Sequence, residues 1–458
     1  MMKIGLEVHI QLNTKTKLFC GCSTKAVEPN SKTCPVCLGH PGSKPVLNKT
    51  AVEFAARLAY ALNSKINKTS FFSRKTYFYP DLSKNFQITQ YEVPLAEGGF
   101  IEIDGKRINI KRLHIEEDPA SLTHEGNHSL IDYNRSGIPL VELVTEPDMT
   151  SPDEAREFLN KLFGILAYLD IFDESTCIVK ADANISIEQT NFERVEIKNI
   201  TGFKEIERAL TYEAQRQKEA YKNKEPIVQE TRGWNADKGF TYSMRAKEAE
   251  EDYGYIAEPD IPALTVDEKW QNEIKNSVPE LPAQKAERWI EQLHIDAADS
   301  RIIAADPEIA ELFEKTRSKV SPVLAARWTR REVFRVLNLE KKSLKESPIT
   351  ADSFAELLEL IEKNVITNRI GQELIEKLAK DAFSPKEYVK TKGLGAVSDE
   401  ESLMMLCKDA IKNNPKAVED FKKGEQKSFE FLIGKVMAAT KGKAVPAVIR
   451  KLMEEALK

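Results

Sequence analysis

In Gly5–Leu12 the apolar side chains Leu6, Val8, Ile10 and Leu12 alternate with Glu7, His9 and Gln11. That period of two makes a β-strand with one apolar and one polar face. Pro139-Leu-Val-Glu142-Leu-Val144 and His114-Ile-Glu116-Glu117-Asp118 repeat the theme of glutamate set into apolar strand. Val179, Ala181, Ala183, Ile185 and Ile187 alternate with Lys180, Asp182, Asn184 and Ser186, and Val195 and Ile197 with Arg194, Glu196 and Lys198. Strands are expected near 4–12, 100–116, 139–144, 178–188 and 194–200. Several share one apolar and one ionisable face, so helices can cover the first while the second stays open.

One strong helix interrupts these strands. Ser151 reads as its N-cap, Pro152 as its first residue and Glu154 as the far arm of a capping box. Phe158, Leu159, Leu162, Phe163, Leu166 and Leu169 follow at helical spacing. A second helix is expected from about Phe203 to Lys222. After Pro279-Glu-Leu-Pro282 the pattern turns helical, with no evident strand. Thr391-Lys-Gly-Leu-Gly395 reads as a break, and Asp399–Lys458 as a small three-helix unit with a Lys-rich turn. The expected domains are 1–282, 283–395 and 396–458.

The totals agree with this division. A chain of 458 residues is too long for one ordinary core. A net charge of −5 means that a nucleic-acid partner must be held by a local basic patch. No leader is read at the N-terminus, and no apolar run approaches the ~20 residues of a membrane span. A cytoplasmic chain with no membrane partner is expected.

Four of the six cysteines lie close together, as Cys20-Gly-Cys22 and Cys34-Pro-Val-Cys37. Two close pairs across a short loop suit tetrahedral zinc. Iron–sulfur, redox thiols and plain burial remain open. Four thiolates leave no vacant coordination position, so such a zinc is structural. Cys177 and Cys407 read as small core residues. The carboxylate–histidine set is Glu7, His9, Glu117 and Glu142, with Glu116 beside it. Each alone has a plain reading as a solvated strand position or a hydrogen-bonded histidine. In one sheet, carboxylates and an imidazole converging would suit Mg²⁺ or Mn²⁺. Alternation puts Glu116 rather than Glu117 on the side of His114, and a bulge near Asp118-Pro119 would reverse this.

Arg74-Lys75-Thr-Tyr77-Phe-Tyr-Pro-Asp81 mixes cations with aromatics, suited either to phosphates and bases or to a strand edge. The run from Gly424 to Pro446 concentrates lysines around two helix ends: Lys427, Lys435, Lys441 and Lys443, with Lys422, Lys423, Arg450 and Lys451 nearby. It suits phosphate contact or a solvated face. No Walker loop, dinucleotide fingerprint or Gly-x-Ser-x-Gly elbow occurs.

Taken in order, these motifs resemble the B subunit of the glutamine-dependent aspartyl/glutamyl-tRNA amidotransferases. The carriers are Gly5-Leu-Glu-Val-His9, Cys34-Pro-Val-Cys-Leu-Gly39, Arg74-Lys75 with Tyr77–Asp81, His114–Asp118, Asn134-Arg135, Glu146-Pro-Asp148, Asp182-Ala-Asn184, Lys198-Asn199, Gln229–Arg232, Glu258-Pro-Asp260 and Gly434–Gly442. The resemblance covers essentially the whole chain. It implies an α+β fold: a glutamine-synthetase-like curved antiparallel sheet, the cradle, followed by all-α helical and tail domains. It implies ATP and Mg²⁺ (or Mn²⁺), phosphorylation of the side-chain carboxylate of Asp or Glu misacylated on tRNA, and displacement of phosphate by ammonia. The chain shows no amidase motif of its own, so the ammonia comes from a partner amidase (A) subunit, alongside a small C subunit.

By matching motif, the Mg²⁺ ligands implied are His9, Glu117 and Glu142 with Glu7 adjacent, and the structural Zn²⁺ ligands Cys20, Cys22, Cys34 and Cys37. Arg74, Lys75, Tyr77, Asp182, Asn184 and Lys198 are implied for substrate or nucleotide, and Lys427, Lys435, Lys441 and Lys443 for tRNA. Pro119, Ser121 and Gly254 depart from residues frequent in bacterial members. The related archaeal Glu-tRNA-specific subunit carries a large later insertion, for which the spacing after Glu258-Pro-Asp260 leaves no room. A non-enzymatic tRNA-binding adaptor is the alternative of another class, and the intact carboxylate–histidine set argues against it.

Overall fold

A computed structural model describes residues 1–173, 175–246, 254–395, 400–422, 424–440 and 444–457. It divides into two compact units, Met1–Leu281 and Pro282–Lys458. The first is built on a ten-stranded sheet among the described residues. Along the sheet the strands run Phe240–Ala246, Glu230–Asn235, Val195–Ile200, Val179–Ile187, Met2–Gln11, Pro139–Thr145, Lys106–Glu117, Ala96–Glu97 and Lys65–Ile66. Phe100–Ile103 pairs with Lys106–Glu117 to the side of this path.

Alternation made Met2–Gln11, Lys106–Glu117, Pro139–Thr145, Val179–Ile187 and Val195–Ile200 legible, while Glu230–Asn235, Phe240–Ala246, Ala96–Glu97 and Lys65–Ile66 went unread. The apolar sides of the legible strands are the core. Leu6, Val8, Leu113, Val141, Ala183 and Ile197 are almost wholly buried. They share one core with Leu58, Phe158, Leu162 and Leu210 from the helices Lys49–Ala61, Pro152–Leu169 and Phe203–Lys222. Each fully buried side chain of this kind contributes roughly 1.5–3 kcal/mol. Five adjacent elements on one apolar face therefore hold the opposite face in register.

Several expectations change. The sheet is mixed rather than antiparallel, because Val195–Ile200 and Glu230–Asn235 pair in parallel. The helix Phe203–Lys222 lies between them in sequence, the long crossover that parallel pairing needs. The stretch 100–116 is a hairpin turning at Asp104-Gly105, both with positive φ, the dipeptide most suited to such a turn. Ser151 caps its helix by accepting from the Glu154 amide at 3.2 Å. The Glu154 carboxylate accepts instead from the Thr150 amide at 2.7 Å and from Lys106, so the return arm of the box sits one residue early. The helix Lys49–Ala61, capped by Asn48, went unread because its buried face is largely alanine.

The second unit is helical. Leu403, Cys407, Phe429, Leu432, Ile449 and Met453 form a core of their own. Its last described helices are Glu400–Asn413, Pro415–Lys422, Gln426–Ala439 and Pro446–Leu457, four where three were expected. Pro415 cannot continue the helix before it and is well suited to open the next. Cys407 is buried as expected, whereas Cys177 is partly exposed. Lys423, Lys441, Lys443 and Asp399 lie outside the described residues. No helix among the described residues is long and apolar enough to cross a membrane.

Candidate active site

Register brings the ionisable side chains together on the face away from the helices. Glu142 lies opposite His9 on one side and His114 on the other. Glu7 lies opposite Asp182, and Asn184 opposite Glu196. Facing residues in antiparallel strands share a side of the sheet.

The tightest group is two imidazoles around two carboxylates. His9 Nε2 is 3.4 Å from Glu142 and 3.7 Å from Glu116, and His114 Nε2 is 3.2 Å and 3.7 Å from the same two. One donor atom each from His9, Glu116 and Glu142 lie within 4.8 Å of one another. Thr89 Oγ1 donates to Glu116 at 3.2 Å. The His114 side chain is 5% exposed and that of His9 26%, so the group is reached from the His9 side. Burial disfavours the charged imidazole of His9, but hydrogen bonding to Glu142 and the nearby carboxylate charges outweigh it and lift His9 to about 9. In His114 burial is likewise outweighed, first by the charge of Glu142, and it also reaches about 9. Glu142 is held well below the carboxylate range: its burial is overcome by His114 and then His9. The two carboxylates thus hold protons on the imidazoles, and a divalent ion binding here would displace the proton of His9. Two carboxylate oxygens and an imidazole nitrogen at this spacing fit a small divalent ion that keeps several waters.

Glu117 is not in this group. It faces the other way, accepting from Lys84 Nζ at 2.5 and 2.7 Å and from the Ile88 amide at 2.9 Å. Its carbonyl accepts from the Gln87 side chain at 2.8 Å. The reason is register. Lys106–Glu117 pairs with Pro139–Thr145 without irregularity from Leu113 to Glu117, and its one bulge lies at Val144/Thr145. Alternation therefore holds through 116 and 117. Of the three ligands implied by resemblance, His9 and Glu142 come together, and Glu116 stands where Glu117 was expected.

A second group adjoins the first. Lys198 Nζ is 2.7 Å from Asp182 and 3.1 Å from Glu196. Asn184 donates to Glu7 at 2.8 Å, and Thr231 to Glu196 at 2.9 Å. Burial, and then the charges of Glu142 and Glu196, push Glu7 up. Burial opposes the Lys198 ammonium, but Asp182 and Glu196 more than offset it and its pKa rises. Glu7, Asp182, Asn184 and Lys198 thus form one network. Glu196 was not singled out as a site residue, although its alternation with Lys198 was visible.

Arg74 is committed elsewhere, in a bidentate pair with Glu258 at 2.8 and 3.0 Å. Lys75 lies on the same strand, Ser73–Thr76, and Tyr77 follows it; both are half-buried. Ser73 lies opposite Thr89, so this small sheet reaches the main group through the Thr89–Glu116 bond. Lys427 and Lys435 are exposed on the helix Gln426–Ala439.

The four cysteine sulfurs also lie within 4.8 Å of one another, with Cys34 and Cys37 Sγ 3.9 Å apart. Four zinc–sulfur bonds of ~2.3 Å in a tetrahedron place sulfurs ~3.8 Å apart, so the set fits zinc. The Cys34 amide donates to Cys37 Sγ at 3.2 Å. A hydrogen bond from Cys20, aided by the nearby Lys17 charge, pulls the Cys37 thiol down to about 4.

Fold and site together define a class: a mixed-sheet domain carrying a clustered carboxylate–imidazole group on its ionisable face, in a chain that continues into a helical unit. Residues 2–272 match the GatB/GatE catalytic domain, and residues 311–457 the GatB domain. The B subunit of the aspartyl/glutamyl-tRNA(Asn/Gln) amidotransferase of Caldanaerobacter subterraneus subsp. tengcongensis is 45% identical, over 99% of this chain and 98% of that protein. Those of Thermotoga maritima and Carboxydothermus hydrogenoformans are 43% and 42% identical over the same shares. The chain belongs to the GatB/GatE family.

Proposed function

We propose that this protein is the catalytic B subunit of a tRNA-dependent amidotransferase. It uses ATP to phosphorylate the side-chain carboxylate of Asp or Glu misacylated on tRNA(Asn) or tRNA(Gln), and it amidates the product with ammonia from a partner A subunit. A small C subunit completes the complex, and the work is cytoplasmic. The observation that carries this reading is the His9–Glu116–Glu142 group on an open ionisable face, in a chain matched end to end by relatives that carry that subunit's name. The ionisable face opposite the helices is also what supports reading the sheet as a glutamine-synthetase-like cradle.

The chemistry follows from the groups present. A carboxylate is a poor electrophile, and an acyl phosphate supplies the leaving group that ammonia displaces. His9, Glu116 and Glu142 would hold Mg²⁺ or Mn²⁺, which supplies charge neutralisation for the phosphate oxygens. His114, hydrogen-bonded to Glu142, orients that carboxylate, and Thr89 does the same for Glu116. Lys198 stands between Asp182 and Glu196, a cation suited to phosphate in the adjoining network. The cysteine set holds structural zinc. Reconstitution with the A and C subunits is expected to convert misacylated tRNA to amidated tRNA with ATP hydrolysis dependent on that tRNA. Amidation by A and C alone would overturn the assignment.

The helical end supports tRNA contact through Lys427 and Lys435, with Lys441 and Lys443 expected to join them. Truncation after Gly393 is expected to weaken tRNA binding by roughly tenfold near physiological salt, with a shallower salt dependence, and to leave metal content unchanged. Unaltered affinity would give the tail another role.

A further inference from the structure

Lys17 is among the most deeply buried side chains of the first unit, at 0% exposure. A lysine so enclosed ordinarily has a carboxylate partner, and Lys17 makes no carboxylate ion pair among the described residues. Its ammonium instead donates to Cys37 Sγ at 3.6 Å and to the Tyr133 carbonyl at 3.0 Å. The neighbouring buried acid, Glu117, is already held by Lys84.

The backbone of the same residue reaches the other cysteine pair. The Lys17 amide donates to the Cys22 carbonyl at 2.9 Å. One residue therefore ties the turn carrying Cys20 and Cys22 to the sulfur of Cys37. Gly137, with φ +86°, packs beside its stem: a Cβ there would meet Lys17 Cδ at 3.5 Å and Cys37 Cβ at 3.7 Å, ordinary contact distances. Cys37 is anchored from behind as well, its carbonyl accepting from Ser83 at 2.8 Å and Ser136 at 3.3 Å.

We propose that Lys17 is the built-in counter-charge of the cysteine site, holding a tetrathiolate zinc centre closed by placing one ammonium against the Cys37 thiolate. The proposal rests on the zinc reading above. Four thiolates and Zn²⁺ carry a net charge of −2, costly to enclose; the lysine halves it. It also donates an N–H to the sulfur, as groups beyond the ligands do in metal sites generally. Conversely, without that thiolate the ammonium is an enclosed charge facing one carbonyl. Metal retention and the folding of the 15–47 segment are thereby coupled through one side chain. Lys17 acts through Cys37 as a positioning residue.

The test measures zinc in the purified full chain by elemental analysis, then its transfer to a chromogenic chelator. The wild type is expected to hold one zinc and release it slowly, and Lys17→Met to release it roughly tenfold or more faster. A zinc-free wild type overturns the zinc reading and this inference with it. A zinc-loaded wild type whose Lys17→Met variant releases metal at the same rate overturns the inference alone. Should Lys17→Met prove insoluble, the thermal midpoints of Cys37→Ser and of Lys17→Met/Cys37→Ser decide the matter. Removing the lysine is expected to raise the midpoint of the serine variant, because the ammonium has lost its thiolate. A double variant melting at or below Cys37→Ser overturns the proposal.

Discussion

Glu116→Gln is expected to reduce tRNA-dependent ATP hydrolysis by roughly 100-fold or more while the protein stays folded. The substitution keeps the shape of the side chain and its bond from Thr89. It removes one of the two anionic ligands proposed for the cation, and a neutral amide neither neutralises charge nor binds Mg²⁺ comparably. Mn²⁺ binding followed by electron paramagnetic resonance should weaken in parallel, which separates loss of metal from loss of tRNA. Glu142→Gln should behave alike, since Glu142 faces both histidines. Wild-type turnover in Glu116→Gln would remove Glu116 from the site.

The neighbouring residue should respond in a different quantity. Glu117→Ala is expected to cost about 3–5 kcal/mol of stability, because it leaves an enclosed ammonium unpaired. The Lys84 side chain is 11% exposed, and the substitution also strands the Ile88 amide. Urea unfolding measures this directly. In the paired variant Lys84→Met/Glu117→Leu much of the loss should return, as replacing both partners of a buried pair with apolar groups often does. If Glu117→Ala were as stable as wild type but inactive in Mn²⁺ binding, the assignments of Glu116 and Glu117 would be exchanged.

Much of the site was legible along the chain. The alternation of Glu7 and His9 with Leu6, Val8 and Ile10 foretold a polar face, and the same pattern around Asp182, Asn184 and Lys198 placed those residues on one side of their strands. Family resemblance pointed to His9 and Glu142, which do meet. It pointed to Glu117 where simple alternation favoured Glu116, and the regular register of Lys106–Glu117 against Pro139–Thr145 follows the alternation. Arg74 looked available for phosphate, yet its partner Glu258 lies 184 residues away and takes its guanidinium in a bidentate pair.

Lys84 and Lys17 carried no signal, because nothing in their local spacing distinguishes an enclosed lysine from a solvated one. Glu117 is 33 residues from Lys84, and Cys37 is 20 from Lys17. The parallel pairing of Val195–Ile200 with Glu230–Asn235 was equally silent, since strand direction is decided by the connecting helix and its packing on the sheet.

By itself the sequence determined which residues form the central strands, which faces of those strands are ionisable, and which four cysteines stand close enough to share a metal, for these follow from periodicity and short spacing. Only the tertiary structure decided which carboxylate joins His9 and Glu142, which lysines are enclosed, and which acid or thiolate each one answers. Those outcomes depend on strand register and on contacts between residues tens to hundreds of positions apart, where one residue of shift turns a side chain to the opposite face.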